Sequence, residues 1–323
     1  MFSPAVRGQL YRIYVPDSDR RTVHVIDPMT MTVSDVLRVG RNPQHVVPAW
    51  DLQRLYVTND LSNSLTPIDP KTAKRAGPDI SVDDPYNMYF TPDGKDAIVV
   101  AEAHANLDFR DPHTFSLVHR VPVACKGVDH IDFSADGTYL LATCEFSGQL
   151  VKVDLRTDTV LGYIRIGGAP QDIKLDPAGK LFYVADMTRG GVTEVDGDAF
   201  RAVGFLPTGP EAHGLYPSRD ASVMYVSNRG GPKNKGSISV VDFATRRVVE
   251  TWEIPGGGTP DMGGVSPDGK VLWLSGRRSK EVYAIDTSSG SLLARIRVGA
   301  GPHGLAVWPQ PGRYSLGHTG ILR

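Results

Sequence analysis

The chain has 323 residues, 41% of them hydrophobic and 22% charged, with a formal net charge of −1, which is enough apolar sequence to build a core without help from disulfides or metals. Acids and bases are interspersed, so there is no electrostatic footprint for nucleic acid or anionic lipid, and no apolar run reaches membrane-spanning length. The opening Met1-Phe2-Ser3-Pro4 lacks a basic-then-apolar leader, so the expected compartment is the cytoplasm, or outside it if a leader was removed.

In chain order, the first elements are three alternating strands in LYRIYVPDSDRRTVHVID and the run after it. From there one phrase recurs: a short alternating run, an Asp and a turn, at Asp27, Asp69, Asp111, Asp154, Asp196, Asp242 and Asp286. An Asp at a strand end can bond backbone two residues on, so each copy predicts a β-hairpin. A second phrase, Pro-Asp-Gly or a variant between two alternating runs, gives FTPDGKDAIVV, FSADGTYLLAT, LDPAGKLFYVA, YPSRDASVMYV and VSPDGKVLWLS, with PAWDLQRLYVT as the looser first copy. Four strands at a period of about 42 residues are the signature of propeller blades, and no helical periodicity competes. The chain starts at a strand B and ends with a lone strand A, HGLAVWP. The expected fold is therefore all-β, a seven-bladed β-propeller of four-stranded blades, closed by the C-terminal strand A joining N-terminal strands B–D. Residues 1–310 form this single domain, and the Gly- and Pro-containing tail 311–323 is expected outside the last blade.

LYVTND at Leu55–Asp60, FYVAD at Phe182–Asp186, MYVSN at Met224–Asn228, SPDGK at Ser266–Lys270 and PHGLAV at Pro302–Val307 resemble the YVTN repeat over nearly the whole chain. That resemblance implies the propeller fold. YVTN-like propellers include ring-opening lactonases, streptogramin lyases, parts of metal- or haem-dependent reductases and binding proteins, so it leaves function open. YVSNRG at Tyr225–Gly230 is similar to propeller lactonases in one blade.

The residue opening each strand A can be followed through the repeats: His45, Asn87, His130, Asp172, His213, Asp261 and His303, spaced about 42 residues apart except for a step of about 48 before Asp261. The residue closing each strand B is Asp17, Asn59, Glu102, Glu145, Asp186, Asn228 and Gly276. Both sets are expected at one mouth of the channel. Imidazoles beside carboxylates suit a divalent transition metal such as Cu, Fe, Zn, Ni or Mn, with His45, His130, His213, His303, Asp172 and Asp261 as candidate ligands. A single histidine in this repeat equally serves as hub packing.

Two further features sit near this mouth. Cys125 and Cys144 belong to one blade and are expected as buried thiols, with a disulfide or thiolate ligand as alternatives. The long step maps to an insertion at Arg229–Gly236, a loop that is either a lid or anion-binding element or simply a solvated turn. His24, His104, His113, His119 and His318 are expected off the inner ring.

No Walker loop, dinucleotide fingerprint, nucleophile elbow, HExxH pair or covalent-haem motif is present. The leading expectation is a monomeric, metal-dependent enzyme acting on a small molecule, with no nucleic-acid or membrane partner. Glu102, Glu145 or Asp186 would be its base, and Arg229 or Arg277 would face the substrate. The alternatives are a metal-free lactonase or lyase using a histidine base and an arginine, and a non-catalytic binding propeller.

Overall fold

The structure, a computed structural model, describes residues Met1–His318. Their strands form seven antiparallel sheets, six with four strands and one with five, because the outer strand of the second blade is split into Lys74–Arg75 and Ile80–Ser81. These are the seven blades of the expected propeller. No helix among the described residues is long and apolar enough to cross a membrane.

The repeated Asp does what its position predicts. In every blade its carboxylate accepts a backbone N–H two or three residues on, from Met29, Lys71, His113, Arg156, Ala199, Thr245 and Ser288 in turn. Four residues after each Asp, the chain turns left-handed, at Met31, Ala73, Phe115, Asp158, Phe200, Arg246 and Gly290. A tight turn followed by one left-handed residue is a common way to return an antiparallel strand. Only the last copy uses glycine for it, so the Asp bond and strand pairing hold six non-glycine residues in a costly conformation.

The backbone divides into two compact units. The first contains Met1–Ala101, Asp108–Val118 and the described residues from Asp261 onward. Here Ala306–Trp308 pairs antiparallel with Arg12–Asp17, in register Arg12↔Trp308, and supplies the first blade with its missing inner strand. Trp308 is fully buried with Tyr14, Val25, Val46 and Leu55, and its indole N–H donates to Gln9.

The tail as far as His318 packs against the blades rather than lying outside them as expected, and the rest of the expected tail, 319–323, falls outside the described residues. Tyr314 stacks on Trp50 at 5.4 Å, and the Ser315 hydroxyl donates to Pro48 O. Phe90 N–H donates to Leu316 O and His318 N–H to Met88 O, so the tail pairs with the inner strand Asn87–Phe90. A buried strand edge supplied the hydrogen-bond partners that composition could not reveal.

The second unit contains Glu102–Leu107 and His119–Pro260. Its three complete blades have inner strands Val128–Phe133, Pro170–Leu175 and Ala212–Pro217. Each of them slips register near its start, between Val128 and Ile131, Pro170 and Ile173, and Ala212 and Leu215. A bulge re-aims the side chains it carries, and these bulges carry Asp129, His130, Gln171, Asp172 and His213.

Cys125 and Cys144 form a disulfide, with Cα atoms 6.0 Å apart, so the expected thiols are not present. The bridge ties the loop before Val128–Phe133 to the end of the adjacent strand Tyr139–Cys144. Closing a loop of sequence separation 19 stabilises by about 3 kcal/mol in the chain-entropy account. The Cys125→Ala/Cys144→Ala double variant is expected to lose about that much stability in denaturant unfolding. An unchanged midpoint would show that the bridge does not form or does not constrain the unfolded chain.

Candidate functional site

In the second unit, four bulged or turn positions converge on one chemical cluster. His130 is fully buried, and its Nδ1 lies 2.7 Å from Asp129 Oδ1. Burial pulls the imidazolium down, but the charge and hydrogen bond of Asp129 outweigh it, and the His130 pKa is raised overall. A carboxylate beside Nδ1 favours the tautomer with its proton there and Nε2 basic. The His213 ring stands edge-on to His130 at 6.3 Å between centroids. Its Nε2 is 2.8 Å from Arg229 Nη2. A guanidinium can only donate, so His213 is neutral and accepts through Nε2.

Glu145 opens the 3₁₀ turn Glu145–Ser147. Burial and the neighbouring Asp129 charge push its carboxyl up to about 7, while Gln171, Arg229 and His130 pull it back. The turn is pinned to the loop before Asp129: Glu145 N–H donates to Gly127 O at 2.7 Å, Phe146 N–H to Lys126 O, and the disulfide lies alongside.

Asp172 and Asp186 have other work. Asp172 Oδ1 takes the Lys174 ammonium at 2.7 Å, and its Oδ2 takes Leu215 N–H at 2.9 Å. Asp186 is fully buried and accepts the N–H groups of Ala169 and Arg189. A Cβ at position 168 would strike its carboxylate, so Gly168 is required there. Both carboxylates organise backbone. Glu102 is half-buried on the turn after Ala97–Ala101, where its carbonyl accepts Ala105 N–H.

The insertion after Arg229 is stitched rather than open. Gly236 N–H donates to Gly258 O, Gly258 N–H to Asn234 O, and Ile254 N–H to Gly236 O. These bonds fix the base of the loop, Arg229 N–H donates to Glu211 O, and Lys233 and Lys235 stay exposed.

The remaining expected residues lie in the first unit. His303 Nδ1 is 2.8 Å from Asp261 Oδ2, and both are buried. His45 is fully buried with its ring centroid 4.9 Å from that of His303. Arg277 donates to the Ser18 hydroxyl at 3.0 Å. His318, expected off the inner ring, is instead buried with its ring centroid 4.9 Å from that of His45. The paired tail carries it there, and no repeat position marked it. Asp129, Gln171 and Lys174 also escaped the sequence reading, although Asp129 directly precedes a tracked histidine.

These features define a propeller with an acid–base cluster on bulged inner strands. The chain belongs to the YNCE-like beta-propeller family, whose model matches residues 6–311. No curated protein matches it by sequence. Solved structures of similar fold include hydrazine synthase of Kuenenia stuttgartiensis, at 20% identity and TM-score 0.73, covering 90% of this chain and 95% of that one. A 6-phosphogluconolactonase assigned in Bacteroides uniformis ATCC 8492 gives 17% and 0.73, covering 91% and 98%. The periplasmic gluconolactonase of Pseudomonas aeruginosa gives 22% and 0.74, covering 92% and 98%. At these identities the likeness is one of fold.

A carboxyl raised from 4.5 to about 7 disfavours folding once the unfolded chain can ionise it, so its effect is absent below the unfolded pKa, grows as pH rises towards about 7 and is constant above that. Glu145→Gln is therefore expected to gain stability over the parent between about pH 5 and about pH 8, by at most about 3 kcal/mol. Parallel pH profiles in urea unfolding would refute the raised value. In carboxyl NMR titration, Asp129→Asn should lower the Glu145 pKa and Arg229→Met should raise it.

Proposed function

We propose that the second unit carries a metal-free acid–base site that hydrolyses small cyclic esters. The observation that carries this reading is Glu145, held at about 7 among Asp129, His130 and Arg229. A group titrating near ambient pH can both give and take a proton. In this reading His130 Nε2, set by Asp129, takes a proton from water, and the water attacks the ester carbonyl. The Arg229 guanidinium steadies the charge that develops on the carbonyl oxygen. Glu145 gives its proton to the departing ring oxygen, and the products are a carboxylate and an alcohol. Arg229 also favours a substrate whose product is an anion.

Two observations favour this over the metal-dependent expectation for the same unit. His213 turns Nε2 to a guanidinium, a poor neighbour for a metal cation. Asp172 is committed to Lys174 and to the Leu215 amide. The lactonases of similar fold supply the substrate class to try first. The Cys125–Cys144 bridge supports an oxidising compartment for this chemistry over the cytoplasm.

A panel of aldonolactones followed by base uptake is expected to show turnover that a chelator leaves unchanged. His130→Ala and Glu145→Gln should each lower kcat by about 10²–10⁴-fold, the usual contribution of a positioned acid or base. Arg229→Met should lower kcat/KM in a folded protein. Absence of turnover above buffer across the panel, or full activity in the Glu145 variant, would defeat the reading.

A further inference from the structure

The first unit gathers imidazoles with a different chemistry. His45, His303 and His318 are all buried, and the His45 ring lies 4.9 Å by centroid from each of the other two. A ring nitrogen of His45 and one of His318 lie within 4.8 Å of each other. Two metal–nitrogen bonds of about 2 Å each, end to end, span about 4 Å. The pair therefore needs only a small inward rotation to share one ion.

Each flanking imidazole is held from behind. Asp261 grips His303 through Nδ1, the arrangement that orients metal-ligating histidines and raises their basicity. Asn87 Nδ2 sits 2.9 Å from His318 Nδ1, and Tyr89 stacks on the same ring at 5.6 Å. The bond as drawn puts the proton of His318 on Nε2. Turning the Asn87 amide would offer its oxygen to an Nδ1–H and leave Nε2 as the ligand atom, at the expense of the bond that its oxygen now accepts from Met88 N–H.

The delivery of His318 is itself specific. The tail reaches its place through the Tyr314–Trp50 stack, the Ser315–Pro48 bond and pairing with Met88 and Phe90. His318 takes φ +38, a conformation that L residues avoid. Strain of this kind, held in place by surrounding bonds, gathers at functional sites.

We propose that His45 and His318, with His303 packed against His45, bind a copper or zinc ion. Neutral imidazoles with a carboxylate only behind them suit these metals rather than calcium or magnesium. Metal binding and ester hydrolysis are read by different assays, so failure of the metal site would leave the hydrolytic reading standing.

The full chain, stripped of metal by dialysis against a chelator, would be titrated with Zn(II) and with Cu(I) in competition with a coloured chelator. The expected result is one equivalent of either ion, lost in His45→Ala and in His318→Ala, and weakened about 10–100-fold in Asn87→Leu. Thermal unfolding of each variant checks the fold. Should the variants fail to fold, imidazole NMR of the parent decides: the ring signals of His45 and His318 must shift with added Zn(II). Unmoved signals, no competition for either ion, or unchanged affinity in both folded histidine variants would overturn the site.

Discussion

Backbone pairing of Ala306–Trp308 with Arg12–Asp17 is the constraint on which the first unit depends. Without it the first blade would present the edge of Arg12–Asp17, a row of open amide groups that invites wrong partners. It also brings His303, just ahead of the closing segment, level with His45: Val46 N–H donates to Gly304 O, and a Cβ at 304 would strike the His45 ring. The same segment that closes the fold therefore packs two hub imidazoles together. The tail extends this logic by pairing once more, with Asn87–Phe90, before it delivers His318.

In the second unit the organising device is the bulge at the start of each inner strand. A regular strand would send Asp129 and His130 to opposite faces. The register slip there lets the carboxylate reach the imidazole of its own neighbour. The charges that result are matched locally, Asp172 with Lys174 and Asp129 with His130, while Arg229 is anchored on the His213 ring nitrogen. Glu145 is drawn down by Arg229 and His130, but burial beside Asp129 outweighs them and governs its proton.

The fold was legible because its signals are repeated. Seven aspartates, each bonding the turn that follows, report the hairpins regardless of what the blades face. The hub positions were legible only in part: His45 and His130 are third in their bulged strands, whereas His213 is second in its own. Their partners were not legible. Asp186 closes its strand opposite Pro170, but Glu145 lies one residue beyond Cys144, which holds the corresponding place opposite Val128, and spacing could not resolve that single step. His318 was missed because the tail belongs to no repeat, and Cys125 and Cys144 were read as thiols because pairing depends on a 6.0 Å approach that composition cannot show.

The stitched insertion after Arg229 separates two kinds of evolutionary freedom. Its backbone is bonded through Asn234, Gly236 and Gly258, and Gly236 has no room for a side chain against Pro260. Lys233 and Lys235, by contrast, point into solvent. Descendants of this chain can therefore exchange the residues at 233 and 235 to recruit new ligands while the arginine beside His213 keeps its place. The loop is a site of divergence built on a fixed hinge post.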